Sequence, residues 1–78
     1  MGRASQALKQ VLEAYSISQN RLAVALEIDR SAVFKWIHGH REPTSDTIVE
    51  ITKALKAMNV EAAREFVRLY LGEIVDDE

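Results

Sequence analysis

Cysteine is absent from this 78-residue chain, so neither a disulfide nor a thiol nucleophile is available to it. Packing, alone or with a partner subunit, must hold the fold, and a reducing cytosol suits such a sequence. Long apolar runs are missing as well. The longest, "LAVAL", falls far below the roughly 20 residues of a membrane-spanning helix, and no signal peptide is recognisable. "MGRASQ" begins like an N-myristoylation site but carries Gln6 where Ser or Thr is needed. No glycine-rich phosphate loop and no converging acid–base set is present, which argues against an enzyme. Basic excess is lacking too: 10 Lys and Arg stand against 12 Asp and Glu. A globally basic footprint, the first mark of many nucleic-acid binders, is therefore missing.

What is present is an ordinary globular balance, 47% hydrophobic and 28% charged. The length predicts one domain over residues 1–78, able to bury only about 60% of its unfolded surface. Charge is unevenly spread. Residues 46–78 hold eight acids against Lys53, Lys56, Arg64 and Arg68, ending in "DDE", while the preceding residues carry a small positive excess.

Helical periodicity runs nearly throughout, with no strand pattern. Ala4, Leu8, Val11, Leu12 and Tyr15 form one stripe, broken by Ser16 and Ser18. Ser18 is a suitable N-cap for a second helix bearing Leu22, Ala23 and Leu26. Only "EI" separates that helix from Asp29, a second N-cap, so the turn between them is very tight. A third helix follows and stops at Gly39, suited to a left-handed position. "HREPTSD" is a loop, and Thr44 is placed to cap a fourth helix with Ile48, Ile51, Leu55 and Met58 on its apolar side. Asn59 interrupts. A fifth helix from near Val60 has Ala63, Phe66, Val67, Tyr70, Leu71 and Ile74 in register, with Gly72 weakening its end. The expected fold is an all-α, compact five-helix bundle.

The third helix carries an oddity. In "RSAVFKWIHG", a rotation of about 100° per residue gathers Ala32, Val33, Trp36 and Ile37 on one arc. Arg30, Ser31, Phe34, Lys35 and His38 fall on the opposite arc. Trp36 is thus a core residue and Phe34 lies on the cationic face. Phe34 is an isolated exposed apolar residue, a side chain tucked under a neighbouring loop, or a contact for a thymine methyl. A short helix, a tight turn and a second helix with one polar, cationic face make a helix-turn-helix over about 18–39. On such a face Arg30 can pair with guanine O6 and N7, Ser31 can donate or accept, and Lys35 can reach guanine or phosphate.

The stretch "SQNRLAVALEIDRSAVFKWIHGHREPTSDTIVEITKAL" resembles the phage-repressor (lambda repressor-like, XRE-type) helix-turn-helix family. The likeness rests on Gln19 opening the second helix, on Leu22–Ala23, and on Val33 and Trp36 in the buried positions of the third. It extends to "GHREPTSDTIVEITKAL", which is similar to the family's Gly-basic-x-Pro-Ser-x-x-Thr-Leu passage. It covers roughly residues 5–58 and implies a compact five-helix fold. By position it implies that Arg30, Ser31 and Lys35 face base edges with Phe34 between them. It also implies phosphate contacts from Gln19, His38, Arg41 and Thr44. The chain departs from the family at Glu27, where Gly is usual. A left-handed residue there would be strained, so either strain or a slightly altered turn is expected, with a carboxylate near the path of the phosphates.

The resulting expectation is a sequence-specific reader of a double-stranded DNA operator, cytoplasmic and nucleoid-associated, acting as a transcriptional regulator. Family members commonly bind as dimers, and the fifth helix, through Phe66, Tyr70 and Ile74, is the expected homodimer interface. The alternative is a protein-interaction module on the same fold, such as an antitoxin or adaptor, motivated by the acidic balance, Glu27 and the exposed Phe34. "HGHRE" lacks the spacing of known zinc sites, so no metal and no cofactor is expected.

Overall fold

The computed structural model describes residues 3–72. Among these it contains five α-helices and no strand: α1 (Arg3–Ala14), α2 (Gln19–Leu26), α3 (Arg30–Ile37), α4 (Ser45–Met58) and α5 (Val60–Val67). A π-helical turn, Arg68–Gly72, continues α5. Helix α1 packs on α3 and α5, α2 on α3 and α4, and α4 on α5, so the helices enclose a single core.

Each helix after the first begins on a side-chain cap that satisfies free backbone donors. Ser18 Oγ accepts from the Arg21 N–H at 3.0 Å. Asp29 Oδ1 accepts from the Ser31 N–H at 2.9 Å, and Thr44 Oγ1 from the Thr47 N–H at 3.2 Å. Asn59, which by sequence only interrupts the pattern, caps α5 by accepting from the Glu61 and Ala62 N–H groups at 2.9 and 3.4 Å.

The first three helices all end the same way, on a left-handed residue: Ser16 at φ 54°, Glu27 at φ 58° and Gly39 at φ 72°. In each case the next residue donates back across the turn. Ile17 N–H reaches Leu12 O at 2.9 Å, Ile28 N–H reaches Ala23 O at 3.0 Å, and His40 N–H reaches Lys35 O at 2.9 Å. The left-handed residues donate to Glu13 O, Val24 O and Trp36 O. These are three Schellman motifs, and they set the abrupt chain reversals that let short helices pack closely. The turn at Glu27 therefore keeps the geometry that glycine would favour and holds it with a side chain bearing Cβ.

The core follows the expected stripes. Leu8 and Val11 of α1, Leu22 of α2, Val33 of α3, Ile51 and Leu55 of α4, and Phe66 of α5 are fully enclosed. Trp36 is buried with them and Phe34 is exposed, as the helical wheel requires. Helix α5 is rotated relative to the expected stripe. Ala62, Ala63 and Phe66 point inward, leaving Val60, Val67 and Leu71 at 44%, 40% and 45% exposure. This corrects the interface expected on α5. Phe66 is 0% exposed and belongs to the protein's own core, so it is not available to a second subunit. Tyr70 is half-buried and stacks on Phe66, ring centroids 6.1 Å apart. Ile74 lies outside the described residues.

One polar contact ties the bundle to the loop before α4. Ser5, buried on α1, donates through Oγ to Glu42 Oε2 at 2.9 Å.

Candidate nucleic-acid interface

The start of α2 and the outer face of α3 form one surface. Arg30, Ser31, Phe34, Lys35 and His38 are all exposed on α3 or at its end. Gln19, Asn20, Asp29, Arg30, Ser31 and Phe34 line one open groove between α2 and α3. Gln19 also borders a second groove, shared with Lys9 and Glu13 of α1, Ser18, and His38 at the end of α3. Arg41 and Thr44 stand apart. They border a third groove, beyond Trp36, together with Leu26 and Ile28. The structure thus gathers Gln19, Arg30, Ser31, Phe34 and His38, and it leaves Arg41 and Thr44 flanking them on the α4 side.

Local chemistry explains how the side chains are presented. Asp29 ends the turn and caps α3, and its carboxyl is held below the usual carboxylate range. The principal cause is the hydrogen bond from the Ser31 backbone N–H. The Ser31 hydroxyl and, more weakly, the charges of Arg30 and Lys35 act in the same direction, and desolvation opposes them by more than either charge alone contributes. The N-terminus of α3 therefore already carries its own anion. An added phosphate there would meet a like charge, so the free donors of Arg30 and Lys35 are left for other acceptors. The Ser31 backbone N–H is committed to the Asp29 cap, and Thr44 is committed to the α4 cap, where its hydroxyl also pairs with Thr47 Oγ1 at 2.9 Å.

Electrostatics divide the molecule more sharply than its net charge suggests. Among the described residues, α4, α5 and the turn that continues α5 carry the ion pairs Glu50–Lys53, Glu61–Arg64 and Glu65–Arg68, all three residues apart. Arg68 binds Glu65 through Nε at 3.0 Å and through Nη2, which pulls the Glu65 carboxyl below its usual range. By contrast Lys9, Arg21, Arg30, Lys35 and Arg41 form no ion pair among the described residues. Glu42, the acid nearest Arg41 in sequence, is turned towards α1 by its bond with Ser5.

The ring contacts are the feature that sequence reasoning missed. Phe34 is 47% exposed and its ring centroid lies 4.0 Å from that of His38, one turn on. His40 approaches both, at 6.4 Å from Phe34 and 6.1 Å from His38. Phe34 is therefore neither isolated nor covered by the loop. Its spacing to His38 is visible in the sequence, but the return of His40 depends on the left-handed turn at Gly39. Among the described residues no group of three or more His, Asp or Glu side chains is placed to hold a metal ion.

A helix-turn-helix family model, of the XRE, lambda repressor-like type, matches residues 8–58, about two thirds of the chain. The chain belongs to this helix-turn-helix family. Its five-helix architecture and its α2–turn–α3 unit are those of a lambda repressor-like helix-turn-helix domain. The family is one of DNA-binding domains rather than enzymes. Comparison with curated proteins and with solved structures returned no match. No helix among the described residues is long and apolar enough to cross a membrane.

Proposed function

We propose that the protein is a sequence-specific regulator of transcription that lays α3 in the major groove of double-stranded DNA. The observation that carries this is the set of cations on and around α3 that form no ion pair among the described residues, in a chain whose net charge is −2 and whose other basic side chains are mostly paired. Their free charge lowers the free energy of binding by displacing counterions from the duplex. Arg30 and Lys35 read base edges, with guanine O6 and N7 the best-matched acceptors. Ser31, whose backbone N–H serves the Asp29 cap, offers a hydroxyl that can donate or accept, and Phe34 is placed to meet a thymine methyl. Gln19, His38, Arg41 and Thr44 reach phosphates on either side.

The protein acts as a homodimer on two half-sites about one turn of DNA apart. The supporting feature is the strip of Val60, Val67 and Leu71, which the core leaves uncovered on α5 and the turn that continues it. Tyr70 and Ile74 stay in this proposal as flanking residues.

The test is selection of bound duplexes from a random pool at low salt, followed by salt titration of the best sequence. A two-fold symmetric site with a steep salt slope is expected. Lys35→Ala should then lower affinity by about 1–3 kcal/mol and relax preference at one base position. If no sequence is enriched, the DNA reading is wrong. The protein-interaction reading, for which the half-exposed Phe34 would be the anchor, would then be tested by partner capture.

A further inference from the structure

The Phe34–His38–His40 cluster sits where the proposed DNA interface needs positive charge, yet its two imidazoles are charged only when protonated. We propose that Phe34 holds His38 and His40 as paired phosphate contacts whose protonation is coupled to DNA binding. This adds His40 to the interface and makes affinity depend on pH. The inference rests on the DNA-binding reading above and deepens it.

The geometry gives three arguments. First, the imidazoles are close, 6.1 Å between centroids, and both are exposed, so one strand segment can meet both. Second, the Phe34 ring lies against His38 at 4.0 Å and within 6.4 Å of His40. Ring contacts at these distances hold the two imidazoles beside Phe34. The Schellman turn at Gly39, closed by His40 N–H to Lys35 O at 2.9 Å, fixes the second ring on the same side.

Third, the surrounding charges leave a counter-ion to be supplied from outside. On α3 the nearest charged neighbour in sequence is Lys35. From α1, Lys9 and Glu13 line the groove that His38 borders, and from α2 that groove receives only the neutral Ser18 and Gln19. His40 is followed by Arg41 and by Glu42, whose carboxylate is engaged by Ser5. Among the described residues neither histidine forms an ion pair or hydrogen bond with a carboxylate. A DNA phosphate is an anion of the right kind to complete the site. Phosphate binding then favours the imidazolium, and by linkage protonation favours binding. The bound state holds more protons than the free one, so affinity rises as pH falls.

The experiment uses the full chain and its selected duplex, with binding measured by fluorescence anisotropy from pH 8 to pH 5.5 at fixed ionic strength. Circular dichroism at each pH confirms that the fold persists. Affinity should rise by about tenfold or more across this range, reflecting uptake of about one to two protons per protomer. The salt slope should be steeper at pH 5.5 than at pH 8, by about 0.9 for each phosphate newly neutralised. The His38→Gln/His40→Gln double variant should flatten both dependences. His40→Gln alone should remove part of each, and Phe34→Ala should reduce them more than Phe34→Tyr, which keeps the ring. Binding that is strong but unchanged by pH, or a pH dependence that persists in the double variant, overturns the proposal and leaves the DNA reading standing. No binding at any pH overturns both.

Discussion

Replacing Glu27 with glycine should stabilise the protein, and the size of the gain can be worked from the turn. Glu27 sits at φ 58° and ψ 43°, in the left-handed region, as the pivot between α2 and α3. A side chain with Cβ in that conformation costs roughly 1–2 kcal/mol because Cβ crowds the following carbonyl oxygen. Glycine escapes this clash but gives the unfolded chain more freedom, which returns roughly 0.4–1 kcal/mol. Removing a carboxylate from the negative end of the α2 dipole adds about 0.3–1 kcal/mol in favour of the variant. Nothing else is lost, since the side chain is exposed and forms no hydrogen bond or ion pair among the described residues. The expected balance is about 1 kcal/mol of added stability, or about 4–8 °C in Tm for a domain of this size. Thermal and urea unfolding followed at 222 nm, at one fixed protein concentration, would measure it. Glu27→Ala separates the causes, because it deletes the charge but keeps Cβ and should gain less. Equal gains from Ala and Gly would show that charge alone matters. No gain from Gly would refute the account of a strained turn.

Burial and the lowered carboxyl at Asp29 set three further outcomes. Phe66→Ala should destabilise the fold by about 3–5 kcal/mol because the ring is fully enclosed, whereas Val67→Asp should leave the fold intact and, on the proposed homodimer, shift light-scattering mass from dimer to monomer. A Val67→Asp protein that stays dimeric would eliminate the α5 strip as the interface. Asp29, whose folded pKa lies below its ordinary value of 3.8, contributes stability above pH 4 that is lost as pH falls through the lowered pKa. Wild type should therefore lose more Tm between pH 5 and pH 3 than Asp29→Asn, and parallel losses would show that this cap is not acid-sensitive.

The helix boundaries were legible because they are written in local chemistry. Ser18, Asp29 and Thr44 announce helix starts through side chains that accept from donors two or three residues on, and Gly39 announces an end. Trp36 and Phe34 were sorted correctly because a regular helix turns by a fixed angle per residue. Local signals fail where the decisive contact is distant. The Ser5–Glu42 hydrogen bond joins residues 37 apart, and no pattern near either one marks it. On α5 the error came from following large side chains. Ala62 and Ala63 turn inward because α5 lies close to α1 and α4, and small residues permit that approach. The apolar arc is consequently wider than the core can cover.

Net charge misled for a related reason. A sum over the sequence weighs every charge alike, whereas a duplex responds to the potential at the surface it approaches. Much of this protein's acidity on α4 and α5 is matched with Lys53, Arg64 and Arg68 along the same helices. Exposed pairs of this kind add little stability and little long-range field. Among the described residues the cations around α3 form no such pairs, and Ser5 draws one nearby carboxylate aside. A chain of net charge −2 can therefore carry unpaired cations along one face, as the proposed interface requires, because pairing within its other helices, more than the count of charges, sets the charge left at that face.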